Sequence, residues 1–150
     1  MENLNAKECS FTYEWHEGSL PPPFHYEWAL SVHGLHGSLT FIPDYSGTDV
    51  PRWQRAVEIT AHQQAHLIDL FRSRRVFRSK WSKPRRQRIG GETQYLTVQI
   101  GVETGSIPAS RTDTDSRALQ PLFEYIRSLV PQATWDELDV LREQYMQARQ

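Results

Sequence analysis

The 150-residue chain has one cysteine, Cys9, so no internal disulfide can form. No charged-then-apolar leader opens it, and with a lone cysteine neither secretion nor an oxidising compartment is expected; the reading is a cytoplasmic protein. No window approaches the roughly 20 apolar residues that a spanning helix requires, which argues against a membrane role. Gly-x-Ser-x-Gly is missing, so no strained elbow exposes a serine, and Cys9 has no identifiable base beside it. Gly90-Gly91 is too short to cradle a phosphate. The expectation is a protein that is not an enzyme and carries no cofactor.

The absence that says most is one of charge. Between Phe71 and Gly90 there is no Asp or Glu, while nine basic residues fall there: Arg72, Arg74, Arg75, Arg78, Lys80, Lys83, Arg85, Arg86 and Arg88. The rest of the chain holds eight basic residues against all eighteen acidic ones, so a net charge of −1 conceals a dipolar molecule. A concentrated field of this kind attracts polyanions or acidic protein surfaces and says little about fold.

What is present describes one ordinary domain. Its length allows a sizeable core without staples, and 38% hydrophobic with 23% charged residues is a globular balance. Phe11, Tyr13 and Trp15 alternate, as do Phe24, Tyr26, Trp28, Leu30 and Val32, which predicts two strands each covered on one face. Pro21, Pro22 and Pro23 offer no amide donors and read as the connection between them. Gly34 and Gly37 allow a hairpin into a strand over 38–42, followed by a turn-rich loop over 43–49 in which Asp44 and Asp49 are turn formers. Trp53 to Ile59 reads as a further strand. Thr60 and Gln63 have capping-box spacing, which starts a helix running to about Arg75 with Leu67, Ile68, Leu70 and Phe71 inward.

Beyond the basic block, Leu96, Val98, Ile100 and Val102 alternate with Tyr95, Thr97, Gln99 and Gly101, a clear strand whose expected partner is Arg85 to Ile89. A polar loop is expected over 105–114. Leu119, Leu122, Phe123, Ile126 and Leu129 recur at helical intervals, with Pro121 taken to mark the helix start and Pro131 its end. Thr134 and Glu137 read as a second capping box ahead of a terminal helix through Leu138, Leu141 and Tyr145. The fold class expected is α+β: an antiparallel or mixed sheet of about five or six strands with three helices mainly on one face.

The order of strand, capped helix, Gly-Gly, the strand beginning Tyr95-Leu96-Thr97-Val98 and the Leu119-Leu122-Phe123 helix resembles that of emfourin-type proteins. These are small bacterial α+β domains that include metallopeptidase inhibitors. The resemblance covers roughly Trp53 to Leu129 and is one of element order. It implies a non-enzymatic binding domain and transfers no functional residue; the three prolines, the basic insertion and the terminal helix have no counterpart.

The candidate binding residues are Arg72, Arg75, Arg78, Lys80, Trp81, Lys83, Arg85, Arg86 and Arg88. As a protein contact, the arginines pair with carboxylates of an acidic partner while Trp81 anchors the interface. As a nucleic-acid contact, the same cations neutralise phosphates while Phe77 or Trp81 offers a stacking surface. The bland alternative is a solvated segment that balances the molecule's own acidic surface. The protein partner is the first reading, nucleic acid the second.

The histidines add a metal hypothesis. His62 and His66 lie one helical turn apart and Asp69 continues that face, but no cysteine joins them and no His-Glu-x-x-His motif exists. They read as a solvent-facing polar stripe. His33 and His36 flank a turn, and His25 is either exposed or satisfied in the core. No metal site is expected.

Overall fold

A computed structural model describes residues 9–86 and 91–149. Six strands form one fully antiparallel sheet: β1 (Cys9–His16), β2 (Glu27–His33), β3 (His36–Ile42), β4 (Trp53–Glu58), β5 (Thr93–Ile100) and β6 (Glu103–Ile107). Their spatial order is β4-β3-β2-β1-β5-β6, so β1 sits inside the sheet between β2 and β5. Among the described residues three helices complete the α+β fold: α1 (Ala61–Ser73) between β4 and β5, then α2 (Asp113–Ser128) and α3 (Gln132–Ala148) after β6.

Alternation decides which face is covered. Phe11, Tyr13 and Trp15 of β1, Trp28, Leu30 and Val32 of β2, and Leu96, Val98 and Ile100 of β5 are all buried. Each helix meets that face through an aromatic pair. Phe71 of α1 lies 5.7 Å from Phe11, Phe123 of α2 lies 5.2 Å from Tyr13, and Trp135 of α3 lies 5.0 Å from Trp28. Such tilted pairs add to the burial term. The other face stays open and polar, with Thr12 Oγ1 3.0 Å from Ser31 Oγ and with exposed Glu14, Ser38 and Thr97.

The local signals of the sequence succeed where they are self-contained. Thr60 accepts from the Gln63 amide at 3.0 Å, and the Gln63 side chain accepts from the Thr60 amide at 2.9 Å, a complete capping box. Leu67 and Phe71 are buried, Ile68 and Leu70 are half-buried, and His62, His66, Asp69 and Ser73 face solvent. Gly34, at φ +63°, turns the β2–β3 hairpin.

Several boundaries and one strand pairing differ from expectation. β2 begins at Glu27 rather than Phe24, because the proline run closes a turn in which the Phe24 amide donates to the Pro21 carbonyl at 2.9 Å; Phe24 is left exposed. β5 ends at Ile100, and Val102 is a fully exposed turn residue. Its neighbours are β1 and β6, not 85–89: Arg85 and Arg86 lie in a bend outside any strand, and 87–89 fall outside the described residues. The expected loop at 105–114 instead begins inside β6. Pro121 lies well inside α2 rather than at its start, where the helix is capped by Thr112 accepting from the Asp115 amide at 3.1 Å. Both Pro121 and Arg117, whose carbonyl loses its helical donor, are exposed, so the lost bond falls on the solvent side of the helix. Finally, α3 is preceded by Pro131 with no side-chain cap; Glu137 pairs with Arg55 of β4 instead.

Cys9 occupies the covered face at 3% exposure, and burial pushes its thiol from an ordinary 9.0 up to about 11. The folded state therefore disfavours the thiolate. Its contribution to stability is complete below pH about 9 and is lost as pH rises through about 11. A disulfide-exchange reagent at pH about 8 should label the native protein negligibly and the denatured protein fully, because the thiolate is the nucleophile. Prompt labelling of the native protein would show that Cys9 is accessible.

Candidate functional site

The chain leaves α1 through a Schellman-type turn in which the Val76 amide donates to the Phe71 carbonyl at 3.0 Å. The residue in the left-handed region of that turn is Arg75, at φ +57°, a place where glycine is cheaper for the backbone by about 1 kcal/mol. The turn seats Val76 fully in the core and then runs the chain across β6. Gly105 makes this crossing feasible: a Cβ there would lie 2.7 Å from the Val76 carbonyl oxygen and 3.1 Å from the Phe77 ring.

From this anchored start the basic residues separate into two groups. Arg72 forks onto Glu103 at 3.1 and 3.4 Å. Arg78 contacts Asp115 at 3.4 Å, donates to the Arg75 and Arg74 carbonyls, and covers the Trp81 ring at 3.7 Å from its centroid. Trp81 is half-buried against the core, with its indole nitrogen enclosed. These side chains hold the segment on the domain. The Arg72–Glu103 pair is half-exposed, so its share is about 0–1 kcal/mol.

The second group is free in charge terms. Arg75, Lys80, Lys83, Arg85 and Arg86 are exposed, and among the described residues none has a carboxylate within ion-pair distance. Arg88 lies outside the described residues.

Lys83, Arg85, Arg86, Arg111, Thr112 and Asp113 are among the residues that line a groove of about 740 Å³. Arg111 was not among the residues singled out from sequence. Its guanidinium donates to the Pro108 carbonyl at 2.7 Å, the Gln94 carbonyl at 3.2 Å and Gln94 Oε1 at 2.9 Å, and it lies over the Phe123 ring. All these partners are neutral and its Nε is enclosed without one, so desolvation lowers its pKa. At that depth its positive charge has no contacting carboxylate. A sequence signal existed: Thr112-x-x-Asp115 marks a helix start, which puts Arg111 just outside it, where a cation opposes the helix dipole.

The groove thus gathers four cationic side chains against two carboxylates, Glu92 and Asp113. Phe123, the aromatic on its wall, is buried beneath Arg111. A second hollow of about 560 Å³ lies where Phe77 to Ser79 meets the Thr97 and Ser106 region, but its guanidinium, Arg78, is already paired. Among the described residues no helix is long and apolar enough to cross a membrane.

Compared with models of known protein families the chain matches none, and a comparison with curated proteins finds no significant match.

Proposed function

We propose that the protein is a non-enzymatic interaction module that receives an acidic segment of a partner protein in the groove of Lys83, Arg85, Arg86 and Arg111. The observation that carries this reading is the convergence there of cations without contacting carboxylates, one of them a desolvated arginine with only neutral partners. Desolvated guanidinium groups that lack an anion gain most from receiving one, through short charge-assisted bonds. Arg75 supports the reading too, because an arginine at a glycine-favouring position trades backbone comfort for a surface charge. An inhibitor-like role is a narrower form of the same proposal.

Phosphate recognition by nucleic acid is the second reading, favoured by the exposed run of Lys80, Lys83, Arg85 and Arg86. It ranks lower because Trp81 and Phe123 are packed under guanidinium groups rather than presented for base stacking.

The two arginine groups provide the test. Against a fluorescent Glu/Asp-rich peptide, the Arg85→Glu/Arg86→Glu double variant should weaken binding at least about tenfold by placing like charges at the contact. Arg72→Ala removes a charge already neutralised within the domain and should change affinity less than about twofold. Equal losses in both variants would indicate attraction by overall charge rather than by the groove, and absence of binding at low salt would end the proposal.

A further inference from the structure

At the end of the sheet where β1 meets β2, three chemistry-bearing side chains converge that the groove does not use. His16 and Glu27 are directly opposite in the β1–β2 register, and His25 precedes Glu27 by two residues, the spacing that keeps side chains on one side of an extended chain. His25 Nε2 lies 2.7 Å and His16 Nδ1 3.2 Å from the same oxygen, Glu27 Oε2. One ligand-type atom from each of the three falls within 4.8 Å of the others. The alternating pattern of the sequence could not show this cluster, because His16 joins it across a strand pair.

We infer that His16, His25 and Glu27 form a binding site for one divalent transition-metal ion of the zinc class.

The orientation of His25 argues for it. Its Nδ1 lies 3.1 Å from the Gly18 carbonyl, which can only accept, so Nδ1 carries a hydrogen. Its Nε2 faces a carboxylate oxygen of Glu27 at 2.7 Å. Either a proton or a metal ion lies between them, and His16 Nδ1 on the same carboxylate oxygen gives a metal ion its third donor. An imidazole whose far nitrogen is bonded to a backbone carbonyl is the usual outer-shell arrangement of a metal-bound histidine.

The surroundings hold the donor in place. Gly18 is buried, and a Cβ on it would come within 2.7 Å of the Gly91 nitrogen, so the chain packs there backbone to backbone and the carbonyl is fixed. The His25 ring is 4% exposed and stacks on Tyr45 with centroids 3.8 Å apart and planes 5° from parallel. Tyr45 in turn donates its hydroxyl to the Leu20 carbonyl at 2.7 Å.

The dimensions and donor types suit zinc. Bonds of about 2.0–2.2 Å to nitrogen and oxygen put neighbouring tetrahedral ligands about 3.3 Å apart. The His16–Glu27 separation of 3.2 Å already matches, and the His25–Glu27 separation of 2.7 Å needs about half an ångström of carboxylate rotation. His16 and Glu27 are 30% and 18% exposed, which leaves a solvent side for water to complete the coordination. Two imidazoles and one carboxylate favour zinc over calcium or magnesium, which take oxygen ligands. The bound ion would tie the 17–26 loop to the ends of β1 and β2.

The test is titration of the metal-stripped protein with zinc chloride by calorimetry, repeated with Glu27→Gln, His16→Ala and the control His62→Ala/His66→Ala. One equivalent should bind the parent and the control alike, with affinity falling at least about tenfold in each ligand variant. Zinc titration of the unmodified protein followed by NMR should move the imidazole resonances of His16 and His25 first, a readout that survives if a variant folds poorly. No saturable uptake would mean that a proton alone bridges the cluster and would overturn the inference. So would uptake insensitive to both ligand variants, or lost in the control.

Discussion

Trp135→Ala is expected to destabilise the protein by about 3–5 kcal/mol, the range for removing a buried indole. Trp135 is 5% exposed; its ring meets Trp28 edge-on, its Nε1 donates to the Arg127 carbonyl at 3.2 Å, and the Arg127 guanidinium lies 4.7 Å from its centroid. The side chain therefore joins three things: the sheet, the end of α2 and the start of α3. Truncation leaves a cavity between them and removes a donor from a carbonyl near a helix terminus. Against a typical total of about 5–15 kcal/mol, the loss should lower the thermal midpoint by roughly 10–15 °C. Urea unfolding at unchanged m-value measures it directly. A loss below about 1 kcal/mol would mean that α3 contributes little to the sheet's cover.

The second large effect concerns Gly105. Valine there would place its Cβ against the Val76 carbonyl, a backbone group that cannot rotate away, and its branches against Phe77. Overpacking of this kind costs about 1–3 kcal/mol, and the strain falls on the segment that carries the basic residues. Displacing Val76 to Arg78 breaks the Arg78–Asp115 contact and the cover over Trp81. Gly105→Val should therefore be cut by trypsin first after Arg74, Arg75 or Arg78, with the rest of the domain resistant longer. A tryptic pattern matching the parent would show that the crossing over β6 tolerates a side chain.

These two residues also mark what the sequence can and cannot disclose. Strands β1 and β5 were legible because aromatic or aliphatic residues alternate with polar ones over five to seven positions, and α1 because its capping box is contained in four residues. The β6 strand was not, since Glu103–Ile107 holds a single buried residue, Ile107, and a central glycine that reads as loop. That glycine answers to the chain crossing above it, a contact some thirty residues away in sequence. Pro121 misled for a related reason: a lost helix bond is cheap where water replaces it, and only the packed structure shows that its side faces solvent.

The candidate site was legible as charge and illegible as geometry. Nine basic residues without a carboxylate were visible as a run, but nothing local distinguishes Arg72 and Arg78, which hold the segment down, from Arg85 and Arg86, which line the groove. Their partners, Glu103 and Asp115, come from β6 and α2. Arg111 joins from outside the run, and the His16–His25–Glu27 cluster forms across a strand pair. Each depends on pairings that sequence spacing does not encode.

The most direct measurement of the central claim is a salt series of fluorescence anisotropy that compares a Glu/Asp-rich peptide with single-stranded and duplex DNA and RNA, using the parent protein and Arg85→Glu/Arg86→Glu. An acidic-segment receptor should bind the peptide more tightly than any nucleic acid near physiological salt, with a shallow salt slope and loss in the double variant. Preferential nucleic-acid binding that falls steeply with salt would contradict it and make the basic segment a phosphate-binding surface.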